Sequence, residues 1–314
     1  MSQQMRLVVD PPVFTPSPYG LLTAVDLRPS TDPHWQMGVQ WTDTCGGAGV
    51  TLDACTTSAP AITGSGSIPA KAATTTRSQW GATPFTVYAE VDCSPVDFYE
   101  RREDVMRQAL NRFENFQVER TFWTGLAPER NNSGGQANGV LPHLAANSAV
   151  IETSLTGFQT TLQLAATVPT GVALNVVDAL GALEAALASC LDGTGIIHVP
   201  QALAPTLALL LTRQGNRLVT PNGNTVAIGA GYPGTSPAGA NPALGTAWMY
   251  ATGPVFMYRG EPNIRLMDGA APLNRSIDTV KAIIERTYLL GYDCCLIAQL
   301  VNTASFIATS TGTP

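Results

Sequence analysis

The chain has 314 residues, enough for about two domains of roughly 150 residues each. Charged residues make up only 13% of it, and 45% is hydrophobic, a composition that excludes a disordered chain, a collagen and a coiled coil. The net charge of −6 excludes a protein that coats DNA through a basic face.

The first 34 residues are Pro-rich and show no periodicity, which predicts an extended arm rather than a packed element. Alternating apolar residues then predict a strand over 37–42 and a matching strand over 85–91. The stretch between them is rich in Gly, Ser, Thr and Ala. It predicts a long two-stranded loop that projects from the body and rests on another subunit.

The strongest helical signal follows this loop. Ser94 is a suitable N-cap, Pro95 suits the first helical position, and apolar residues recur at helical spacing up to Trp123, before Gly125. The pattern predicts a core-facing stripe along the helix, made of Phe98/Tyr99, Val105/Met106, Ala109/Leu110, Phe113 and Phe116.

The same helix concentrates the charged residues of the chain. Two pairs have the i, i+4 spacing of helical ion pairs, Asp97–Arg101 and Glu103–Arg107. A solvated helix face and a set of salt bridges between subunits both fit this pattern, and we favour the second. The candidate contact residues are Arg101, Arg102, Arg107, Arg112, Glu103 and Glu114.

The remaining sequence alternates short helices and strands, so the predicted fold class is α+β. Helices are expected over 174–190 and 201–213, and a buried strand over 196–199. A hairpin is expected around Pro221-Asn222-Gly223. Short strands follow near 246–251 and 255–258. The chain closes with two strands, 279–290 and 294–301, expected to pair with each other across a tight turn.

No stretch of 18 uninterrupted apolar residues exists, since Asp178 and Glu184 interrupt the best candidate. The first ten residues have only Leu7, Val8 and Val9 as an apolar run, too short for a secretory signal. We therefore expect no membrane span, and a chain that stays in the cytosol of its producer.

Six cysteines form no metal-ligand pattern: Cys45, Cys55, Cys93, Cys190, Cys294 and Cys295. Cys45 and Cys55 can bridge a hairpin under oxidising conditions, but free thiols are the expectation in a reducing cytosol. Cys294 and Cys295 are predicted to serve core packing.

No catalytic constellation is visible. His34 and His143 are expected at the surface, and His198 is expected as a core residue with satisfied hydrogen bonds. Residues 229–234 match G-x-G-x-x-G, but Pro233 and the later prolines exclude the helix that a dinucleotide site requires. We expect no enzymatic activity, no cofactor and no metal site.

Basic residues are nearly all Arg, because Lys71 and Lys281 are the only lysines. Arg in place of Lys is typical of surfaces that pack against other proteins. A GC-rich genome has the same effect on composition, and both explanations stay open.

The order of elements, with the phrases Ile196-Ile-His-Val-Pro200, Gly215-Asn-Arg-Leu218 and Val280–Tyr292, resembles the major capsid proteins of tailed bacteriophages. These have the Hong Kong 97-like fold, and the resemblance is greatest to phages of actinobacteria. It implies an N-terminal arm (1–34), an E-loop (35–92) and a peripheral domain (93–192 and 276–305) of a long spine helix plus sheet. It also implies an axial domain (193–275) and a tail (306–314).

The resemblance further implies pentamers and hexamers of identical subunits in an icosahedral shell around double-stranded DNA. Portal, scaffolding and cementing proteins are the implied partners, and the virion, assembled in the host bacterial cytoplasm, is the implied location. Some members crosslink an E-loop Lys to a neighbouring Asn, and Lys71 is the candidate here. An encapsulin-type shell that holds a cargo enzyme, and a soluble hydrolase without a recognised motif, are the alternatives.

Overall fold

A computed structural model describes residues 15, 17–42, 79–93, 95–126, 139–153, 159–191, 193–266, 273–274 and 279–303. Side chains are described for the same residues, except 91–102, 266, 273–274 and 279–281. The helices are α1 (Leu21–Ala24), α2 (Pro95–Thr124), α3 (Val176–Leu191) and α4 (Ala204–Leu207), with 3₁₀ turns at Pro33–Met37 and Gln201–Leu203.

The strands fall into three sheets. Their bounds are β1 (Asp26–Arg28), β2 (Val39–Thr42), β3 (Gln79–Ala82), β4 (Phe85–Cys93), β5 (Val150–Thr153), β6 (Gln159–Gln163), β7 (Ile196–Pro200), β8 (Thr212–Gln214), β9 (Arg217–Val219), β10 (Thr225–Gly229), β11 (Thr246–Thr252), β12 (Val255–Arg259), β13 (Asn263–Leu266), β14 (Leu273–Asn274), β15 (Thr279–Tyr292) and β16 (Leu296–Asn302). The expected mixed α+β character is confirmed.

Sheet 1 is the six-stranded sheet against which α2 packs. Its main path runs β1-β12-β15-β13, and β15 also pairs with β4 and β14. Residues spaced four apart on α2 meet the even-numbered residues of β15, so Met106, Leu110 and Phe122 share one core with Ile284 and Tyr288. This helix-on-sheet layer buries the first of the two large apolar clusters.

Sheet 2 has the order β16-β11-β7-β10-β9-β8 and packs against α3. One face of α3 supplies Leu180, Leu183 and Leu187 to the second large cluster, where Ile197 and Met249 of the sheet join them. A disulfide between Cys190 and Cys295 ties the C-terminal end of α3 to the chain just before β16. This pairing was not among those considered from the sequence.

Sheet 3 is small and has the order β2-β3-β6-β5. β2 pairs antiparallel with β3, and Thr42 lies opposite Gln79, so residues 43–78 leave and return at neighbouring points. The expected match between the strands near 37–42 and 85–91 is wrong, because β4 pairs with β15 instead. Residues 43–78 lie outside the described part of the chain.

The expected pairing of the last two strands is also wrong. β15 belongs to sheet 1 and β16 to sheet 2, where β16 pairs with β11 along its whole length. The chain crosses between the sheets here and again between β11 and β12, and the two crossings touch. A Cβ on Gly253 would lie 1.9 Å from the Asp293 carbonyl oxygen, so only glycine fits at this contact.

Residues 17–37 pack on the body of their own chain, contrary to the extended arm expected for 1–34. β1 pairs in parallel with β12, Leu21 is fully buried, and the Ile228 N–H donates to the Tyr19 carbonyl at 2.8 Å. Pro18 precedes α1, Pro29 follows β1 and Pro33 begins the 3₁₀ turn, so the prolines lie at the ends of these short elements. Residues 1–14 lie outside the described part.

The expected helix over 201–213 is only a 3₁₀ turn and the single turn α4, after which the chain forms the hairpin β8–β9. Gly215 at the tip of this hairpin has φ +58°, a left-handed conformation that favours glycine. Residues 193–275, expected as an axial domain, supply β7–β11 to sheet 2 and β12 and β13 to sheet 1. The division into domains stays a prediction.

Candidate functional site

The outer face of α2, turned away from sheet 1, is the candidate site. Of the predicted contact residues, Glu103, Arg107 and Arg112 are exposed on this helix. None of these three forms an ion pair within 4.0 Å among the described residues, although Glu103 and Arg107 have i, i+4 spacing. The side chains of Arg101 and Arg102 lie outside the described part.

Three large apolar side chains are exposed on α2. They were expected to belong to the core-facing stripe, and that expectation is wrong. Val105 is 40% exposed, Phe113 52% and Phe116 39%. At 100° per residue they fall within a sector of about 80°. We call these three residues the outer stripe. The sequence pattern placed apolar residues on both sides of the helix, and it did not show which side faces the sheet.

Glu114 is the exception among the predicted contact residues, because it is only 3% exposed and faces the core. It sits four residues after Leu110 and four before Val118, on the buried stripe. Arg259 reaches its Oε1 through Nε (2.9 Å) and Nη2 (2.7 Å), and Arg286 reaches it through Nη1 (2.5 Å).

The Tyr288 hydroxyl also donates to Glu114 Oε1. A buried carboxylate is tolerated only when it is paired and hydrogen-bonded, and this one is satisfied by its own chain. Glu114 therefore stabilises the packing of α2 on sheet 1, and its assignment as a contact between subunits is wrong.

Glu119 is a second buried carboxylate on α2, 2% exposed, which sequence reasoning placed only among the charges of the outer face. Its Oε1 accepts the Leu21 N–H at 3.0 Å, and its Oε2 accepts the Gly231 N–H at 3.0 Å. Burial raises the pKa of Glu119, and the backbone donors partly oppose that rise. Glu119 thus fixes the start of the described chain, and the loop after β10, to α2.

The G-x-G-x-x-G match at 229–234 forms the loop after β10 that Glu119 holds against α2. No helix follows it. A Cβ on Gly231 would lie 2.1 Å from the Phe116 carbonyl oxygen, so the second glycine of the motif allows the loop to touch α2. No helix begins between residues 229 and 245, as the prolines there predicted.

The histidines show no arrangement suited to catalysis. His198 is fully buried, with Nδ1 3.1 Å from the Tyr232 hydroxyl and Nε2 3.0 Å from Thr252 Oγ1, as expected of a satisfied core residue. Burial lowers the pKa of His198 to about 3. His34 is exposed, as expected.

His143 is half-buried rather than on the open surface, and burial lowers its pKa too. Its backbone N–H donates to Gln163 Oε1 at 2.7 Å, which holds the loop against β6. Within the described ranges, no three His, Cys, Asp or Glu side chains come together as metal ligands, and no helix is long and apolar enough to cross a membrane.

Several sequence predictions concern residues outside the described part. These are the candidate crosslink residue Lys71 and the pair Cys45 and Cys55. Cys294 and Cys295 were expected at the start of the strand over 294–301, but the strand begins later. They precede β16, and Cys294 has φ +71°.

No family model and no curated protein matches this chain. Among solved structures, a chain of Mycobacterium phage Ogopogo is similar with a TM-score of 0.49 and 11% identity, covering 94% of this chain and 97% of that one. A chain of Microbacterium phage Oxtober96 has a TM-score of 0.49 and 12% identity, with 96% and 95% covered.

The capsid of a native GTA particle is similar with a TM-score of 0.49 and 13% identity, with 94% and 96% of the two chains covered. These likenesses extend over nearly the whole of both chains in each case.

Proposed function

We propose that this chain is a structural subunit of an icosahedral phage capsid that assembles into pentamers and hexamers around double-stranded DNA. The observation that carries the proposal is the outer face of α2. A helix of 30 residues exposes both apolar and charged side chains, and its exposed Glu103, Arg107 and Arg112 have no ion-pair partner among the described residues. Interfaces between proteins combine these features, with aromatic residues and Arg as the usual anchors.

The path of the chain supports the same proposal. Residues 43–78 leave from the end of β2 and return at the start of β3, so they form one excursion closed at its base by a β-ladder. We infer that this excursion is the projecting part of the E-loop expected over 35–92 and that it lies on a neighbouring subunit. Lys71 falls within it, and its crosslink to a neighbour stays a proposal. A ladder of bands from particles on a denaturing gel would support the crosslink.

The net negative charge of the chain suits a shell that encloses DNA better than a protein that binds DNA through a basic surface. With a net charge of −6, its surface does not neutralise phosphates over a wide area, and packaged DNA stays free to enter and leave. Portal, scaffolding and cementing proteins belong to the same proposal as partners. The virion is the proposed location, with assembly in the host bacterial cytoplasm.

The test is the content of particles purified from infected or expressing cells. A capsid subunit yields particles with nuclease-protected DNA of genome length when the other phage components are present. An encapsulin-type shell yields particles with an enzyme cargo and no nucleic-acid absorbance, and that result would replace the proposal. A soluble protein with a measurable hydrolase activity and no particles would contradict both.

A further inference from the structure

We propose that Asn222 is a modification site at which the chain deamidates, and that Glu184 of α3 slows this reaction. Deamidation converts the side-chain amide to a carboxylate, and the new charge then detaches the turn between β9 and β10 from α3. The inference concerns one folded chain, so it does not depend on the proposed capsid function. It rests on the sequence Asn222-Gly223 and on the contacts of the Asn222 side chain.

The turn between β9 and β10 places the two reacting groups next to each other. Gly223 follows Asn222, and its backbone nitrogen is not hindered by a Cβ on its own residue. This nitrogen can attack the Asn222 Cγ and close a five-membered ring. In the structure the Gly223 N–H donates to the Thr220 carbonyl at 2.9 Å, so the attacking nitrogen is engaged while the turn is closed.

The reaction balances with water as the only co-reactant. A bond forms between the Gly223 nitrogen and the Asn222 Cγ, the nitrogen gives up its proton, and the Cγ–Nδ2 bond breaks so that ammonia leaves. Water then opens the succinimide ring at one of its two carbonyls, which leaves an aspartate or an isoaspartate at position 222. Asn222 is exposed and borders a cleft of about 440 Å³ between α3 and the turn, so water reaches it.

A carboxylate fixes the Asn222 amide. The Asn222 Nδ2 donates to Glu184 Oε2 at 2.8 Å. Glu184 Oε1 accepts the Thr220 hydroxyl and, at 3.0 Å, the Asn224 Nδ2, so one side chain of α3 binds three side chains of the turn. Hydrogen bonds to a charged acceptor are stronger than neutral ones. Because Nδ2 donates to a carboxylate, the amide also keeps more electron density, and its Cγ is a poorer target for the Gly223 nitrogen.

The product of the reaction reverses this contact. A carboxylate at position 222 has no proton to donate at neutral pH, and it faces Glu184 with the same charge. Glu184 is the only charged side chain among the described residues that line the cleft. The turn therefore loses its attachment to α3. The Asn224 Oδ1 accepts the Gly195 N–H at 2.9 Å, so release of the turn also loosens the start of β7.

Mass spectrometry of peptides from the full chain, incubated at neutral pH, tests the role of Glu184. Glu184→Gln keeps the shape of the side chain. Since Oε1 accepts two donors, the amide oxygen of the glutamine takes that place, and its NH₂ group then faces the Asn222 Nδ2 without accepting from it. Deamidation at position 222 is expected to become about tenfold faster. The control Glu103→Gln, an exposed position on α2, leaves the rate unchanged.

Two comparisons separate this local contact from general unfolding. The folded wild type is expected to deamidate at position 222 at least about tenfold more slowly than the same chain unfolded in urea. Hydrogen exchange of the buried strand β7 is expected to stay far slower in Glu184→Gln than in the unfolded chain. Equal deamidation rates for folded and unfolded wild type, or for wild type and Glu184→Gln, overturn the proposal. Exchange of β7 at the unfolded rate in the variant overturns it too, because unfolding then explains the faster reaction.

The variant Asn222→Asp tests the consequence of the reaction. Hydrogen exchange of residues 220–225 is expected to be about tenfold faster than in the wild type at pH 7. At pH 4 the two proteins should be equal, because one of the two facing carboxyl groups then binds a proton. Asn216→Asp, the same change at an exposed position of the β8–β9 hairpin, is the control and leaves the exchange of residues 220–225 unchanged. Wild-type exchange of residues 220–225 in Asn222→Asp at pH 7 overturns the proposal.

Discussion

Cys190 and Cys295 are 105 residues apart in the sequence and joined by a disulfide in the structure, with their Cα atoms 6.3 Å apart. The bond links the C-terminal end of α3 to the segment that leads into β16, so it closes the second apolar cluster on one side. It also crosses the point where the chain moves from sheet 1 to sheet 2.

Replacing either cysteine is expected to destabilise the oxidised protein. Closing a long loop by a disulfide stabilises the folded state by about 2–5 kcal/mol, so Cys190→Ser lowers the free energy of unfolding by about that amount in urea titrations. With an excess of reductant, the wild type and the variant should become equal. A difference that persists under reduction would show that lost packing, not the lost bond, is the cause.

Glu114→Gln is expected to cost about 3 kcal/mol of folding free energy. The amide can no longer balance two guanidinium groups, and breaking a buried ion pair from one side leaves an uncompensated charge. Glu103→Gln, the matched change at an exposed position of the same helix, should stay within about 0.5 kcal/mol. Equal effects of the two variants in urea unfolding would contradict the buried role of Glu114.

His198 is expected to make the protein less stable in acid. Its pKa is about 3 in the folded state and 6.5 in the unfolded state, so the unfolded state binds the extra proton between these values. Stability is therefore full above pH 6.5 and is lost as the pH falls, by about 1.4 kcal/mol per pH unit. His198→Gln removes this dependence, which is measured as the difference between variant and wild type from pH 4 to 7. A difference that stays constant over that range would contradict the burial of His198.

Glu119 is expected to act in the opposite direction. Its folded-state pKa is raised above 4.5, so the folded state holds a proton that the unfolded state has released. Its stabilising contribution is complete below pH 4.5 and decreases as the pH rises through the raised pKa. The wild type should therefore lose stability relative to Glu119→Gln as the pH rises from 4 to 7. A relative gain over this range would mean that the backbone donors outweigh burial.

Part of the fold could be predicted from local sequence. α2 begins at Pro95, its apolar residues recur at helical spacing, and it ends just before Gly125, so the helix was predicted almost to the residue. The hairpin at Pro221-Asn222-Gly223 was predicted from its turn residues, and β9 and β10 confirm it.

The missed features depend on contacts between distant parts of the chain. A short turn after β15 suggested a hairpin, but β15 pairs with β12, β13 and β4 in sheet 1, and β16 pairs with β11 in sheet 2. The sequence could not show which side of α2 faces the sheet, since Val105 and Met106 are both apolar. One signal was present: Leu110 and Val118 bracket Glu114 at four-residue spacing, which places Glu114 on the buried stripe.

Charge reversal on the outer face of α2 tests its role in assembly. Arg107→Glu and Arg112→Glu are expected to reduce the yield of particles several-fold without lowering the yield of soluble protein, because both side chains are exposed and make no ion pair in the described part. Arg217→Glu, the same change at an exposed position on β9, is the control. Normal particle yield from the helix variants would count against this face as an interface.

Sedimentation velocity of the purified full-length chain, combined with electron microscopy of the same sample, tests the central proposal most directly. A capsid subunit is expected to form closed shells of megadalton mass with five-fold and six-fold clusters of subunits. A single species near 33.0 kDa under all assembly conditions, with no particles in the images, would contradict the proposal.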